Sequence, residues 1–410
     1  MQKIHLLALP ILITLQALNA EEWTSFRGPQ GTGVTQQTNV PTKWDSTSIV
    51  WKTDLPGVGQ SSPIHWDGKL FLTTATDGGK NRHTLCVDKA SGKILWDKAV
   101  SSQSPEDVHR MNTHATPSCV TDGERVISFF GPAGLHCYDL NGKSQWSRTD
   151  LGHFPGAWGI AGSPIILGDK VIQNCDSAGP SYLLAVDKKT GETAWKTQRN
   201  EKPKGGWSTP ILINTGSRNE LVLNGEFGVK GYDPQNGREL WFCKSFNGRG
   251  SPMPFFAHGL VYTVNGKPGD LYVVKPGGSG DVTKTRMAWH AKRRGGRDLP
   301  APAVIGNHVL VTAMSGVTSS YDARTGADQW PEAGRIDGAF SGAPLIANGL
   351  YYIQNEAGTT YVLRPGKALD VVFRNTLPSK PGEIFRATIV PVDGQVFLRS
   401  SNALYCVKGS

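Results

Sequence analysis

Apolar positions in this chain come in short runs rich in Val, Ile, Leu and Tyr, broken every few residues by Gly, Pro, Asn or Asp. Gly68-Lys69-Leu70-Phe71-Leu72 and Gly349-Leu350-Tyr351-Tyr352-Ile353 are representative. Short runs of this kind predict strands, and the breakers predict the turns between them. No long stretch repeats with the helical period. The runs are organised by a recurring phrase, Asp88-x-x-Ser91-Gly92-x-x-x-Trp96. It returns at Asp187…Thr190-Gly191…Trp195, Asp233…Asn236-Gly237…Trp241 and Asp322…Thr325-Gly326…Trp330, and one residue shorter at Asp139…Gly142…Trp146.

The phrase is hairpin chemistry. An Asp side chain accepts from backbone N–H groups two or three residues on, and Gly takes the positive φ at no steric cost. The Trp falls on the strand after the turn, where a large aromatic can pack between neighbouring units. Each unit is expected to open on a small residue and Pro: Ser62-Pro63, Thr116-Pro117, Ser163-Pro164, Thr209-Pro210, Ser251-Pro252, Ala301-Pro302 and Ala343-Pro344. Proline is tolerated at a strand start, where its missing N–H costs least. Units recur about every 46 residues, which suits four strands and hence a propeller blade.

An eighth, degenerate unit begins at Arg386-Ala387-Thr388 and stops before its Trp strand. The N-terminal run Ser48-Ile49-Val50-Trp51-Lys52 supplies a spare one. The predicted fold is therefore all-β: an eight-bladed propeller of four-stranded blades, closed by an N-terminal strand that completes the C-terminal blade. Closure of this kind removes two exposed sheet edges. Blades five and seven depart from the phrase, with Val274-Lys275-Pro276-Gly277 and Leu363-Arg364-Pro365-Gly366 in place of the Asp-containing hairpin.

The repeat spans residues 44–410 as one domain. Residues 1–20 read as a signal peptide, with Lys3, an apolar run from Leu6 to Leu18, and Ala20 as the cleavage point. Residues 21–43 are too Gly-rich for a regular element and are expected to form an extended arm pinned to the ring by Trp23 and Phe26. Six cysteines in an exported chain invite disulfides. However, Cys86, Cys137 and Cys406 occupy one recurring strand position that other blades fill with small residues, so they read as packing groups. A net charge of +9 over 410 residues is moderate and gives no nucleic-acid signature.

Catalytic signatures are missing: there is no His-Glu-x-x-His, Cys-x-x-Cys or Gly-x-Ser-x-Gly. Gly142-Lys143-Ser144 resembles the end of a phosphate loop, but Cys137 stands where that loop needs Gly. The unrepeated residues lie in the loops between blades. His109, Arg110, His114, Trp158, Trp207, Arg249 and Arg386 form the candidate ligand- or partner-binding set at the channel mouth, with His153 and Phe340 nearby in sequence logic. Aromatic and basic groups around a channel suit an anionic or planar ligand. The same residues also suit filling and hydrating a wide channel. Three histidines, His109, His114 and His153, could approach a metal, although loop spacing imposes no ligand geometry.

The blade phrase, the Ser-Pro openers and the count of eight resemble the pyrroloquinoline-quinone (PQQ)-like propeller repeat family. Phe26-Arg27-Gly28-Pro29 with Gly31 and Gly33, and Lys275-Pro276-Gly277-Gly278 leading to Asp281-Val282-Thr283 and Trp289, resemble exported propellers of planctomycete-type bacteria. Two branches follow from the resemblance. Quinoprotein dehydrogenases hold PQQ in the channel with a calcium ion, an Asp base and a Trp floor. The alcohol-oxidising type adds a disulfide between adjacent cysteines, a pair this chain lacks. The other branch is similar to the propeller lipoprotein that assists outer-membrane β-barrel assembly, but the lipid-attachment Cys is missing here.

The expectation is an exported, non-catalytic scaffold, periplasmic or secreted and monomeric. It would bind an envelope protein or polysaccharide, with no cofactor, no nucleic acid and no transmembrane segment after signal cleavage. The alternative is a PQQ-dependent oxidoreductase of the alcohol or sugar dehydrogenase kind, with calcium, using Trp158 and Trp207 as the aromatic platform.

Overall fold

The computed structural model describes residues 21–199, 203–244, 250–265, 269–292, 294–296 and 299–409. The predicted signal segment and the candidate Arg249 lie outside them. The described residues form eight sheets whose blade strands are antiparallel, seven of them built from inner to outer strand in chain order. Blade one runs Ile64–Trp66, Lys69–Thr76, Asn81–Asp88 and Ile94–Ser101. Blade eight takes Val390–Val392, Gln395–Arg399 and Ala403–Lys408 from the C-terminus, and its outer strand is Ile49–Asp54. Trp51 faces Cys406 just as Trp96 faces Cys86 and Trp146 faces Cys137. The eight-bladed ring predicted from the repeat is thus the fold observed, with its closure at the predicted strand.

The repeated phrase acts across blades. Asp88 Oδ1 accepts the Ser91 N–H at 2.8 Å, and Asp187 and Asp322 repeat the contact with Thr190 and Thr325. Hydrogen bonds from Ser91 hold the Asp88 carboxyl below its usual range. Each Trp then packs on the following blade's hairpin. Trp51 Nε1 donates to Lys89 O at 3.0 Å, Trp96 to Leu140 O at 3.1 Å, and Trp146 to Lys188 O at 3.0 Å. Beneath the indole sits the hairpin glycine. At Gly142, whose φ is +81°, a Cβ would lie 2.9 Å from the Trp96 ring.

Departures have local causes. Trp241 meets blade five, which lacks the phrase, and instead donates to the buried carboxylate Glu220 at 2.7 Å. The blade-five insertion adds a parallel strand, Gly280–Asp281, to the outside of blade four, followed by one helical turn at Thr283–Arg286. In blade six the outer strand is only Gly334–Arg335, so Trp330 lies in the turn before it and still donates to Gly366 O at 2.8 Å. All six cysteines are buried and free. Burial pushes the Cys86, Cys137 and Cys406 thiols up to about 12, which makes them packing groups rather than nucleophiles.

Strand register corrects two openers. The residue two before the inner strand is Ser62, Ser118, Ser163, Thr209, Met253, Ala301, Ala343 and Thr388 around the ring. In blades two and five the frame therefore falls two residues beyond Thr116-Pro117 and Ser251-Pro252, on Ser118-Cys119 and Met253-Pro254. In blade five a second Pro pair, Met253-Pro254, follows the first, whereas in blade two the frame, Ser118-Cys119, carries no Pro at all; strand pairing locates both.

Residues 21–44 contain no strand, and they close the ring's lower end. Trp23 O accepts from His65 N at 2.8 Å in blade one, and Thr24 O from Thr121 N at 2.9 Å in blade two. Gly33 O and Thr35 N then bond the Ile346 backbone in blade seven, and Gln37 reaches Pro391 and Asp393 in blade eight. Trp23 is fully buried. Among the described residues no helix is long and apolar enough to cross a membrane.

Candidate functional site

The frame positions form a belt around the channel. Thr388 N–H donates to Ser62 Oγ at 2.9 Å, Ser62 N–H to Ser118 Oγ at 2.8 Å, Ser118 N–H to Ser163 Oγ at 2.9 Å, and Ser163 N–H to Thr209 Oγ1 at 2.9 Å. Each hydroxyl satisfies a buried amide of the preceding blade, which would otherwise cost about 1–3 kcal/mol. Met253, Ala301 and Ala343 carry no hydroxyl, so the relay cannot continue through blades five to seven by the same chemistry. The belt thus has a hydroxyl arc and an apolar arc.

Above the belt is a cavity of about 180 Å³. His109, Met111, Trp158, Trp207 and Arg386 line its mouth, and Phe26 of the arm reaches it from below. The channel is therefore a cup with an aromatic rim. His109 and Trp158 rings lie 4.5 Å apart at 32°. Asn112 Nδ2 donates to Trp158 O at 2.9 Å and Ile160 O at 3.2 Å, and Trp207 Nε1 donates to Gly159 O at 2.9 Å. Three inter-blade loops are thereby tied together and hold both indoles in place.

Arg386 is committed. Its guanidinium forks onto Glu356 at 2.9 and 3.1 Å, and Nη1 reaches Arg110 O at 3.3 Å. Burial pushes the Glu356 carboxyl upward, but the hydrogen bonds from Arg386 and Ser341 prevail and hold it below its usual range. A bidentate arginine–carboxylate pair of this geometry positions loops.

Of the candidate residues, His109, Trp158, Trp207 and Arg386 meet at the cavity. Arg110 is exposed on the rim and contributes a carbonyl. His114 turns into its own loop, where Nε2 lies 2.9 Å from Glu106 O. His153 is exposed and Phe340 is buried in the core beside Tyr361. The three histidines are not brought together, and among the described residues no group of three His, Cys, Asp or Glu could hold a metal ion.

The sequence reading missed Arg82. It is fully buried on the third strand of blade one, forked onto Glu106 and donating to Phe130 O at 2.6 Å. It anchors the loop that carries His109. Its signal was present in the alternation: Arg82, Thr84 and Cys86 share the inward parity of that strand.

A family model described as outer membrane protein assembly factor BamB matches residues 30–149 and 81–267, together more than half of the chain. The chain belongs to the BamB-type, PQQ-like propeller family. The outer membrane protein assembly factor BamB of Burkholderia pseudomallei (strain K96243) is 23% identical over 325 residues, 77% of this chain and 76% of that protein. Among solved structures, BamB from Moraxella catarrhalis superposes with a TM-score of 0.59 at 13% identity, over 87% of this chain and 98% of that one. Quinohemoprotein alcohol dehydrogenase from Comamonas testosteroni superposes with a TM-score of 0.68 at 11% identity, over 95% and 81%. At such identities the structural likeness is one of fold.

The dehydrogenase likeness raises PQQ and calcium, and the cup can be tested for both. Calcium takes six to eight oxygen ligands, commonly carboxylates. Among the described residues that line the cavity there is no Asp or Glu, and Glu356 is already engaged by Arg386 and Ser341. The described donor set does not fit a calcium–quinone pair.

Proposed function

We propose that this chain is an exported, non-catalytic propeller of the cell envelope. It binds a partner protein at the channel mouth, taking one projecting side chain of the partner into the cup. The observation that carries the reading is the cup's size and lining. About 180 Å³ is below the ~300–1,000 Å³ of ordinary small-molecule sites, and the walls include Trp158, Trp207, His109, Met111 and Phe26, with no carboxylate among the described lining residues. Such a recess suits an apolar or aromatic anchor of the kind that dominates interface energetics. The names of the Burkholderia and Moraxella relatives, both BamB, are consistent with an assembly role.

A photo-crosslinking experiment in cells tests this. Met111→p-benzoylphenylalanine on the rim is expected to give a discrete adduct with an envelope protein, and Trp158→Ala should weaken that adduct roughly tenfold or more. Alcohol or sugar turnover by purified protein with PQQ and calcium would overturn the reading. So would retention on a polysaccharide matrix that depends on Trp158 while no protein adduct forms.

A further inference from the structure

The lower end of the ring carries a second feature, on the far side of Met253 from the cup. Each inner strand is paired on one edge only, and its middle residue turns N–H and C=O toward the ring axis. The register identifies that residue by its partner on the second strand: His65 opposite Leu70, Thr121 opposite Val126, Ile346 opposite Tyr351 and Pro391 opposite Val396. The arm uses these positions. It accepts from the N–H of His65, Thr121 and Ile346, and it donates to the C=O of Ile346 and Pro391. Where the arm covers them the residues are buried, with His65 and Thr121 each 3% exposed.

The equivalent residues of blades three, four and five are Ile166, Leu212 and Phe256, opposite Val171, Leu221 and Val261. Among the described contacts the arm makes no backbone hydrogen bond to them. Instead all three border a bay of about 510 Å³, bounded on its other side by arm residues Thr24 to Thr32. Its walls are Ile165, Ile166, Leu167, Leu212 and Phe256. Every residue of the blade-three inner strand is partly open, and Leu212, at 38%, is among the few large apolar side chains exposed on the protein.

We propose that this bay is a docking site for an extended segment of a partner polypeptide with apolar side chains at alternate positions. The segment pairs with the inward N–H and C=O groups of Ile166, Leu212 and Phe256. The arm is itself an extended chain bonded to the same backbone positions on neighbouring blades, so the bay continues an interface the fold already uses. Main-chain pairing supplies the affinity, and the apolar wall selects the side chains.

Blade eight provides the control. Pro391 occupies this register position there, so a residue without an N–H is compatible with the strand. Leu212→Pro therefore removes one docking donor without taking a bond from the blade. The test uses the full chain and a blocked hexapeptide of alternating threonine and valine at millimolar concentration. Amide exchange at Ile166, Leu212 and Phe256 is expected to slow at least about tenfold with the peptide. The same peptide N-methylated at alternate positions is expected to leave exchange unchanged. Leu212→Pro should weaken binding of the unmodified peptide roughly tenfold.

Absence of protection by the unmodified peptide overturns the proposal. Equal binding of the N-methylated peptide also overturns it, because the bay would then be an apolar adsorption surface. Concentration-dependent protection of the same amides without peptide, accompanied by self-association, would assign the bay to a second copy of this chain and overturn the commitment to a partner. The peptide comparison stands even if the proline variant does not fold.

Discussion

Single residues in this ring are read correctly only through their surroundings. His65 lies in a strand whose sequence marks it as ordinary, yet it is buried under the arm. Its Nδ1 is 2.7 Å from Glu22 Oε2, and Nε2 accepts the Gly68 N–H at 3.2 Å. Burial, with Lys89 nearby, lowers its pKa from 6.5 to about 4. The folded ring therefore stays neutral where the unfolded chain takes up a proton. The contribution is fully present above pH 6.5 and is lost as pH falls from there toward 4, about 3 kcal/mol in all. Glu22 is shifted upward by burial and opposes part of this near its own titration. Burial shifts His136 in the same direction as His65 and leaves a residual slope. Melting temperatures of the wild type and His65→Gln across pH 4 to 7 should show a flatter profile in the variant. Identical profiles would remove His65 from the account.

At the scale of the element, the recurring phrase is a joint between blades. Its Asp closes the hairpin, its Gly clears room, and the preceding blade's Trp fills that room. This separates two costs at glycine. Gly142 has φ +81° and the Trp96 ring against it, whereas Gly168 has φ +61° with nothing within 4 Å. Gly168→Ala should cost only the left-handed backbone penalty, about 1–2 kcal/mol. Gly142→Ala should add overpacking of about 1–3 kcal/mol. Chemical denaturation of the two variants checks the difference, and equal midpoints would mean that Trp96 yields freely. The phrase was legible because hairpin chemistry is local. The openers of blades two and five were not, because the Pro-marked pair there stands two residues ahead of the true frame and only pairing to the second strand shows the offset.

At the scale of the molecule, the decisive contacts join the two ends of the chain. Besides the Ile49–Asp54 strand, blade eight sends the fully buried Arg399 into blade one. Nη1 donates to Ser61 O at 2.6 Å and Nη2 to Thr73 O at 2.7 Å. Burial lowers its pKa to about 9, so it stays charged at neutral pH while bonded mainly to carbonyls. Arg399→Leu removes both donations at the closure and should destabilise the ring by about 2–4 kcal/mol. Hydrogen exchange should then quicken first in blades one and eight. A uniform change around the ring would show that closure is not where opening begins. Arg399 escaped the sequence reading, as Arg82 did, because a charged residue in a strand is expected to face water.

By itself the sequence determined the strand period, the hairpins, the count of eight and the strand that closes the ring. All of these follow from short apolar runs and turn chemistry, which act over a few residues and repeat. It also placed His109, Trp158, Trp207 and Arg386 in the loops that meet at the cup. Only the tertiary structure decided that Arg386 is spent on Glu356, that His114 braces its own loop, that the arm floors the channel, and that among the described residues the arm leaves the inner edge of blades three to five unbonded. Those outcomes depend on which distant loops meet and which backbone groups remain unpaired once they do, and no local pattern in the chain encodes either.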